Sequence, residues 1–215
     1  MITLGIIGVV AAMTMPTLIG KYQKNAAATS LKRSYAVIAQ TIERSKVDYG
    51  DVSGWRLDEI AGSSKNNEKE MIDIYVSQFW EPWVPKVKDV FYGTVKEFGY
   101  DKVDGVYVDN TKLKWYVLND GSVVAIDIIV TSDLSKLSAV GYFVDINGLK
   151  KPNKFGRDCF LFKLNPNNGN LLDNPEDLSR NELIDKCKNV QLNNYYCALL
   201  IAQDGWEIKE DYPAW

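Results

Sequence analysis

Residues 1–20 read MITLGIIGVVAAMTMPTLIG, and this stretch decides the predicted fold because it contains no charged residue. The first charged residue of the chain is Lys21, and the first acidic residue is Glu43. A helix of about 19 residues, at about 1.5 Å per residue, is about 28 Å long, which is close to the hydrocarbon thickness of a bilayer. We therefore expect this stretch to lie in a membrane or in a bundle of like helices.

Two other interpretations of the stretch are a buried core helix and a cleaved secretory signal peptide. A signal peptide carries a cationic segment ahead of its apolar segment, and no cationic residue precedes Ile2. The small residues Gly5, Gly8, Ala11 and Ala12 suit close packing between helices. The composition therefore favours insertion into a membrane or a helix bundle.

The next segment, residues 21–50, reads as an amphipathic continuation of the same helix. Its apolar residues recur at spacings of three and four and comprise Ala28, Leu31, Tyr35, Ile38 and Ile42. No Gly or Pro occurs between Gly20 and Gly50. The pattern predicts one helix of about 50 residues, whose second half packs against a globular head.

Composition narrows the possible functions of the remaining chain. The chain has 215 residues, of which 46% are hydrophobic and 25% are charged, so it can fold as one domain with an appendage. The chain has 25 Lys and Arg residues and 28 Asp and Glu residues, which gives a net charge of −3. Nucleic-acid binding is usually accompanied by an excess of basic charge, so we expect no nucleic-acid partner. The chain contains no histidine, which excludes His-dependent catalytic triads and HExxH zinc sites. We expect that the protein is not an enzyme.

The head, residues 51–215, is predicted to combine helices with an antiparallel sheet. Apolar residues at helical spacing predict a helix over residues 66–80, which Pro82 and Pro85 follow. From residue 112 onward the period changes to two, and Asp120–Gly121 marks a hairpin turn. Two further strands are predicted at residues 139–146 and 159–164. The expected division is therefore 1–20, 21–50 and 51–215, with about four strands in the head.

Aromatic residues are concentrated between residues 75 and 92, where Trp80, Trp83, Phe91 and Tyr92 occur. Such a cluster suits either a ligand-binding platform or the packing of a helix against a sheet. No basic patch accompanies these rings, so core packing is the favoured interpretation.

The apolar stretch ITLGIIGVVAAMTMPTLI and the Lys that follows it resemble the N-terminal helix of type IV pilin-like proteins, including type II secretion pseudopilins. The segment VDINGLKKPNKFGRDCFLF (residues 144–162) and the terminal DGW and DYPAW resemble the C-terminal half of the same family. The resemblance implies an α+β, pilin-like fold. In that fold the apolar half of the helix is inserted in a membrane, and the amphipathic half packs on an antiparallel sheet of about four strands.

The resemblance further implies a structural subunit of a type IV pilus or of a type II secretion pseudopilus. The implied location is the bacterial inner membrane, with one membrane pass and the head outside the cytoplasm, and afterwards the pilus or periplasmic pseudopilus. The implied partners are other subunits, prepilin peptidase, the inner-membrane assembly platform and, before assembly, the lipid bilayer. The implied assembly residues are Ile2, Leu4, Gly5, Ile6, Ile7, Gly8, Val9, Val10, Ala11, Ala12, Pro16, Leu18 and Ile19.

The chain departs from the family pattern at its start. Family members carry a basic leader, a Gly at the cleavage point, a methylated Phe and a Glu just inside the mature helix, and none of these occurs here. We therefore expect the precursor to contain residues ahead of Met1. Two other functions stay open: a membrane-tethered binding module or minor tip subunit that recognises a ligand through its head, and a membrane-anchored enzyme that uses carboxylates.

The segment from Asp145 to Asp158 has two interpretations. Asn, Gly and Pro favour simple turns, whereas carboxylate and amide oxygens are the ligands that calcium prefers. Some pseudopilins bind calcium in a head loop, and the corresponding candidates here are Asp145, Asn147 and Asp158. Against calcium, the loop contains four basic residues, and its spacing is not that of an EF-hand. The expected cofactor content is therefore none, with calcium as the alternative.

The three cysteines are Cys159, Cys187 and Cys197. No C-x-x-C motif occurs, so neither a zinc site nor thioredoxin-like chemistry is indicated. Many pilins have a disulfide in their C-terminal region, and this resemblance implies the pair Cys187–Cys197. Another pairing that involves Cys159 stays open.

Overall fold

The computed structural model describes residues 2–63, 68–97, 112–130, 137–174, 176–188 and 190–215, without the side chains of 2–12, 61–63, 68, 137 and 190–194. The helices are α1 (Ile2–Tyr49), α2 (Leu57–Ser63), α3 (Glu68–Phe79), α4 (Arg180–Lys188) and α5 (Val190–Gln203), with a 3-10 turn at Val52–Gly54. The strands are β1 (Val87–Gly93), β2 (Leu113–Leu118), β3 (Val123–Val130), β4 (Leu137–Asp145) and β5 (Cys159–Leu164).

The strands form one antiparallel sheet in the order β1-β2-β3-β4-β5, so each strand pairs with its neighbour in sequence. The predicted hairpin at Asp120–Gly121 is confirmed, and it joins β2 to β3. Gly121 has a φ of +91°, and Asp120 Oδ1 accepts a hydrogen bond of 3.0 Å from the Ser122 amide. This is the turn chemistry for which Asp-Gly pairs are favoured in hairpins.

The core lies between the sheet and the helices α1 and α3. The apolar stripe of α1 is buried, since Leu31 and Ile38 are 0% exposed. Tyr35 of α1 contacts Phe162 of β5, with ring centroids 5.7 Å apart. From α3, the buried Tyr75 hydroxyl lies 2.5 Å from the hydroxyl of Tyr142 on β4. The hydroxyls of Tyr75 and Tyr142 therefore satisfy each other across the boundary between α3 and the sheet.

The prediction of about four strands is wrong, because the sheet has five. The missed strand is β1, an edge strand that pairs with β2 on one side. Its central residues Lys88, Asp89 and Val90 are all exposed, so β1 lacks the alternation of apolar and polar residues that marks a half-buried strand. The pairing also shifts register between Val87 and Asp89. Charges and bulges are common on sheet edges, where they hinder pairing with other chains.

The prediction of a pilin-like fold with a membrane-inserted apolar half is also overturned. Within the part of the chain that the structure describes, no helix is long and apolar enough to cross a membrane. The physical reason is the spacing of the charged residues: Lys21 and Lys24 limit the first uncharged run among the described side chains of α1 to residues 13–20, and charged residues recur along the rest of the helix. The side chains of Ile2 to Ala12, on which the prediction also depended, lie outside the described residues.

Two helices near the C-terminus, α4 and α5, have no counterpart among the predicted elements. A sequence signal for α4 exists at Ser179–Glu182, which has the S-x-x-E pattern of a capping box. In the structure, the amide and the hydroxyl of Ser179 both donate to Glu182, at 2.8 and 2.6 Å. The helix α5 packs beside α4 and against β5.

Candidate assembly surface

The first described side chains of α1 form an exposed apolar segment. We call residues 13–22 the apolar start of α1. Its large apolar side chains are between 53% and 74% exposed and comprise Met13, Met15, Leu18, Ile19 and Tyr22. Isolated apolar residues are common on protein surfaces, but a contiguous apolar patch marks an interaction site. The apolar start is therefore the candidate functional surface of the molecule.

The predicted assembly residues divide into two groups in the structure. Pro16, Leu18 and Ile19 lie in the apolar start and are exposed. Residues 2–12, which hold the other predicted positions, have a helical backbone as part of α1, and their side chains lie outside the described residues. The exposed positions Met13, Met15 and Tyr22 are additions that the sequence prediction did not name.

The second half of α1 is held against the head by side chains along its length. Lys24 Nζ donates a hydrogen bond of 3.2 Å to the carbonyl oxygen of Lys209. Arg33 lies 3.6 Å from the carboxylate of Asp120 at the β2–β3 hairpin. Because these contacts begin at residue 24, the head positions α1 so that its apolar start is exposed.

The cysteines Cys187 and Cys197 are joined by a disulfide that links α4 to α5. Cys159 is a buried thiol at the start of β5 and is not part of the disulfide. Gly156 lies close to the disulfide, since a Cβ at that position would be 3.1 Å from Cys197 Sγ. The disulfide is therefore packed directly against the turn that leads into β5.

The candidate calcium residues are mainly engaged in turn chemistry. Asp145 Oδ1 accepts a hydrogen bond of 3.0 Å from the Asn147 amide, and Asp158 Oδ2 accepts one of 3.2 Å from the Lys154 amide. The side-chain amide of Asn147 is oriented so that its nitrogen faces hydrogen-bond acceptors. In that orientation the nitrogen lies within donating distance of Asp145 Oδ1, at 2.9 Å, and of two backbone carbonyl oxygens. Burial raises the pKa of Asp158, which disfavours its charged form. Among the described residues, no group of three or more His, Cys, Asp or Glu side chains could hold a metal ion.

We expect calcium to leave the stability of the protein unchanged. A cation that binds only the folded state would raise the melting temperature by an amount that grows with the logarithm of its affinity. Thermal unfolding in about 1 mM calcium and in chelator should give midpoints within about 1 °C of each other, because a site with millimolar or weaker affinity contributes less than about 0.5 kcal/mol. A calcium-dependent rise of several degrees that is lost in Asp145→Asn would contradict the turn interpretation.

The aromatic region between residues 75 and 92 lies largely in the core. Trp80 is 0% exposed, and Phe79 is 3% exposed and stacks on Trp55 with ring centroids 4.3 Å apart. Rings that are packed in this way contribute mainly to the core and present little of their area to the surface. The exposed ring of this region is Tyr92, which is 36% exposed.

A network of charges surrounds Tyr92 between α3 and the sheet. Lys69 Nζ lies 2.6 Å from Asp73, and Tyr92 donates a hydrogen bond to the same carboxylate. Lys114 Nζ lies 2.8 Å from Glu81. Burial alone would raise the pKa of Asp73, but hydrogen bonds from Lys69 and Tyr92 hold that pKa below its usual value. The charges neutralise one another, as expected of a structural network that ties α3 to β1 and β2.

A second network fastens the C-terminal segment to α4. Arg180 donates two hydrogen bonds to Asp204, at 2.7 and 2.9 Å, and two to Asp211, both at 2.7 Å. Lys209 Nζ donates to Asp204 at 2.8 Å. Burial alone would raise the pKa of Asp204, but the bonds from Arg180 and Lys209 lower it below the usual value. The chain after α5 is therefore held by charge-assisted hydrogen bonds.

Asp204→Asn is expected to lower the free energy of unfolding by about 2 kcal/mol near pH 7. Because the folded-state pKa of Asp204 is depressed, its contribution is present above the unfolded pKa of about 3.9 and is lost as the pH falls through the lower, folded pKa. Urea unfolding from pH 7 to pH 2 should therefore show the difference from wild type shrinking below about pH 4.

The matched control for this prediction is Asp185→Asn, which removes an exposed ion pair with Lys188. Exposed pairs of this kind contribute about 0–1 kcal/mol. Equal losses in the two variants would show that the contacts of Asp204 add nothing beyond those of a surface charge.

Comparison with known proteins places the chain in one family. A protein-family model described as a family of unknown function (DUF6613) matches residues 17–177. The chain belongs to this family. The DUF6613 match begins inside the apolar start of α1 and continues beyond β5. No curated protein and no solved structure matches the chain. The family description states no function, so the resemblance to pilins stays a prediction.

Proposed function

We propose that this protein is a structural subunit of a filament, either a type IV pilus or a type II secretion pseudopilus, and that it assembles through the apolar start of α1. The observation that carries the proposal is the exposure of Met13, Met15, Leu18, Ile19 and Tyr22 on one continuous helix. The sequence resemblance of residues 2–19 to pilin helices supports the same conclusion.

The exposed side chains provide a physical reason for association. Burial of apolar surface contributes about 25 cal/mol per Å², and full burial of one Leu- or Met-sized side chain contributes about 1.5–3 kcal/mol. Five such side chains would contribute at most about 7–15 kcal/mol, which is comparable with the roughly 8 kcal/mol of micromolar association before the entropy of association is subtracted. Gly20 has open space around its Cα and would let another helix approach closely.

The disulfide supports a location for the head outside the cytoplasm. Disulfides persist in the periplasm and on cell surfaces and are rare in the reducing cytosol. The proposed location is therefore the pilus or the periplasmic pseudopilus. The proposed partners are other subunits, the prepilin peptidase that processes the precursor and the assembly platform at the inner membrane. The proposal assigns no catalytic activity to the chain.

The proposal is tested by introducing a charge into the apolar start. Leu18 is 71% exposed, so Leu18→Glu leaves the core of the head unchanged and places a carboxylate on the proposed contact surface. We expect this variant to remain folded and to self-associate at least about 100-fold more weakly than wild type, because burial of an unpaired charge opposes association strongly. Sedimentation velocity over a range of protein concentrations measures the difference.

The matched control is Val90→Glu, which adds the same charge at another exposed apolar position, on β1. It should associate within about twofold of wild type, since surface changes away from a contact have small effects. Association that is equally strong in wild type and in Leu18→Glu would refute assembly through the apolar start.

A further inference from the structure

A second apolar surface lies at the other end of α1. A cleft of about 420 Å³ opens there, between the end of α1, α2 and α3. Trp55 and Phe79 are stacked and buried in its wall, Ile60 and Ile74 line it, and Tyr49 is 42% exposed beside it. We call this surface the aromatic cleft.

Charges around the two surfaces are complementary. Residues 21–33, which include and follow the end of the apolar start, contain four basic residues and no acidic residue; two of the four, Lys24 and Arg33, also contact their own head. Residues 48–59, which adjoin the aromatic cleft, contain four acidic residues and one basic residue, Arg56. Glu59 lies in the lining of the cleft, where it forms an ion pair with Arg56. The flank of the apolar start is therefore mainly basic and the flank of the aromatic cleft is mainly acidic. Their opposite charges would favour contact between the two surfaces.

The cleft has the size for side chains of the apolar start. A cavity of about 150 Å³ holds one benzene molecule. A cleft of about 420 Å³ therefore has room for more than one side chain of the size of Leu18 or Met15. Aromatic walls and an unbranched Met side chain also form favourable sulfur–ring contacts.

The occupant must come from another molecule. Leu18 and Tyr49 belong to the same continuous helix, and about 31 residues at about 1.5 Å per residue separate them by about 46 Å. A helix cannot fold back over that distance to fill its own cleft.

We propose that the apolar start of α1 in one copy docks into the aromatic cleft of a second copy. This inference rests on the proposed function, because it names the partner surface of the same helix segment. The contact is heterologous, since each copy offers two different surfaces. When each apolar start docks into the cleft of a different neighbour, one surface stays free at each end, and the contact propagates into an open filament wherever its rotation does not close a ring.

The contact is tested by cross-linking in the full chain. A photoreactive amino acid replaces Leu18, and isotope-labelled and unlabelled protein are mixed before irradiation. Mass spectrometry should find mixed-isotope cross-links from position 18 to peptides that contain Trp55–Ile60 or Ile74–Phe79. Cross-links only between two apolar starts would overturn this inference and leave filament assembly through α1 intact.

A second measurement blocks the cleft without touching the core. Gln78 lines the cleft and is exposed, so Gln78→Trp should fill the cleft and weaken self-association about tenfold or more. The control is Ser77→Trp, at the adjacent exposed position, which lines a different, charged cleft. It should stay within about twofold of wild type. Equal association of Gln78→Trp and wild type would overturn the inference.

Charge exchange provides a third measurement. Glu59→Lys and Lys21→Glu should each weaken association, and the double variant should recover most of the loss, because the opposite charges are then exchanged. No recovery in the double variant would contradict the assigned pairing of the two surfaces. A chain that stays monomeric at all concentrations would overturn both this inference and the proposed function, and flotation of that monomer with anionic lipid vesicles would assign the apolar start to a lipid surface.

Discussion

Gly156→Ala is expected to lower the free energy of unfolding by about 2–5 kcal/mol, a large effect for a single substitution. Gly156 has a φ of +77°, in the left-handed region where a Cβ is unfavourable by about 1–2 kcal/mol. A Cβ at this position would also lie 2.8 Å from Ala214 Cβ and 3.1 Å from Cys197 Sγ. Relief of that overlap requires movement of the C-terminal segment or of the disulfide, at a further cost of about 1–3 kcal/mol.

Gly205→Ala separates the two contributions to this loss. Gly205 has the same φ of +77°, but no atom lies within 4 Å of a Cβ built there. This variant should lose about 1–2 kcal/mol, from the backbone conformation alone. Urea unfolding of both variants gives the comparison. Similar losses in the two variants would show that the C-terminal segment and the disulfide do not pack against Gly156.

Replacement of both Cys187 and Cys197 by serine is expected to lower the free energy of unfolding by about 3 kcal/mol, which corresponds to about 6–12 °C in the melting temperature. The disulfide joins two positions 10 residues apart, and both of its sulfurs lie in side chains that are 0% exposed. Two effects combine in this loss. The unfolded chain gains conformational freedom when the cross-link is removed, and two polar hydroxyls are buried where the apolar disulfide was.

The matched control for the disulfide is Cys159→Ser, which changes the buried thiol that is not part of the disulfide. It should lower the melting temperature less than the double variant does. Thiol titration checks the pairing directly: the oxidised protein should show no reactive thiol when folded and one when unfolded. Three reactive thiols on unfolding, or a Cys159 peptide in a disulfide, would contradict the pairing.

The sequence predicted elements whose signal is local. The Asp120–Gly121 hairpin depends on a turn of two residues, and the buried stripe of α1 depends on spacings of three and four residues. The predicted strand at residues 159–164 agrees with β5 in both of its ends. In each case the residues that form the element also carry the pattern, so no long-range information is needed.

Elements that depend on distant contacts were missed. β1 is defined by its pairing with β2, across 20 or more residues, and four of its own seven residues are exposed. The aromatic cleft brings Tyr49, Trp55 and Phe79 together from three separate segments, which no local pattern specifies. Trp80 and Phe79 could be assigned to the core by general preference, but the stacking of Trp55 on Phe79 could not.

The membrane-inserted helix was predicted from the apolar composition of residues 1–20 and is not supported by the described residues. The same residues supply part of the apolar start, which is exposed in the structure and short of the length needed for a membrane span. Apolar composition shows that a segment needs a partner, but it does not distinguish lipid from protein. The exposed part of α1 is therefore assigned to assembly and not to membrane crossing.

The most direct test of the central claim is to look for the chain in filaments. The gene, with any coding sequence upstream of Met1, is expressed in bacteria that contain the pilus or pseudopilus assembly platform, with and without prepilin peptidase. Filaments are sheared from the cells, imaged by electron microscopy and analysed by intact mass. We predict that the chain is present in the filaments only when the peptidase is active, in a shortened and methylated form. A folded, abundant chain that is absent from every filament fraction and has the same mass in both hosts would contradict the account.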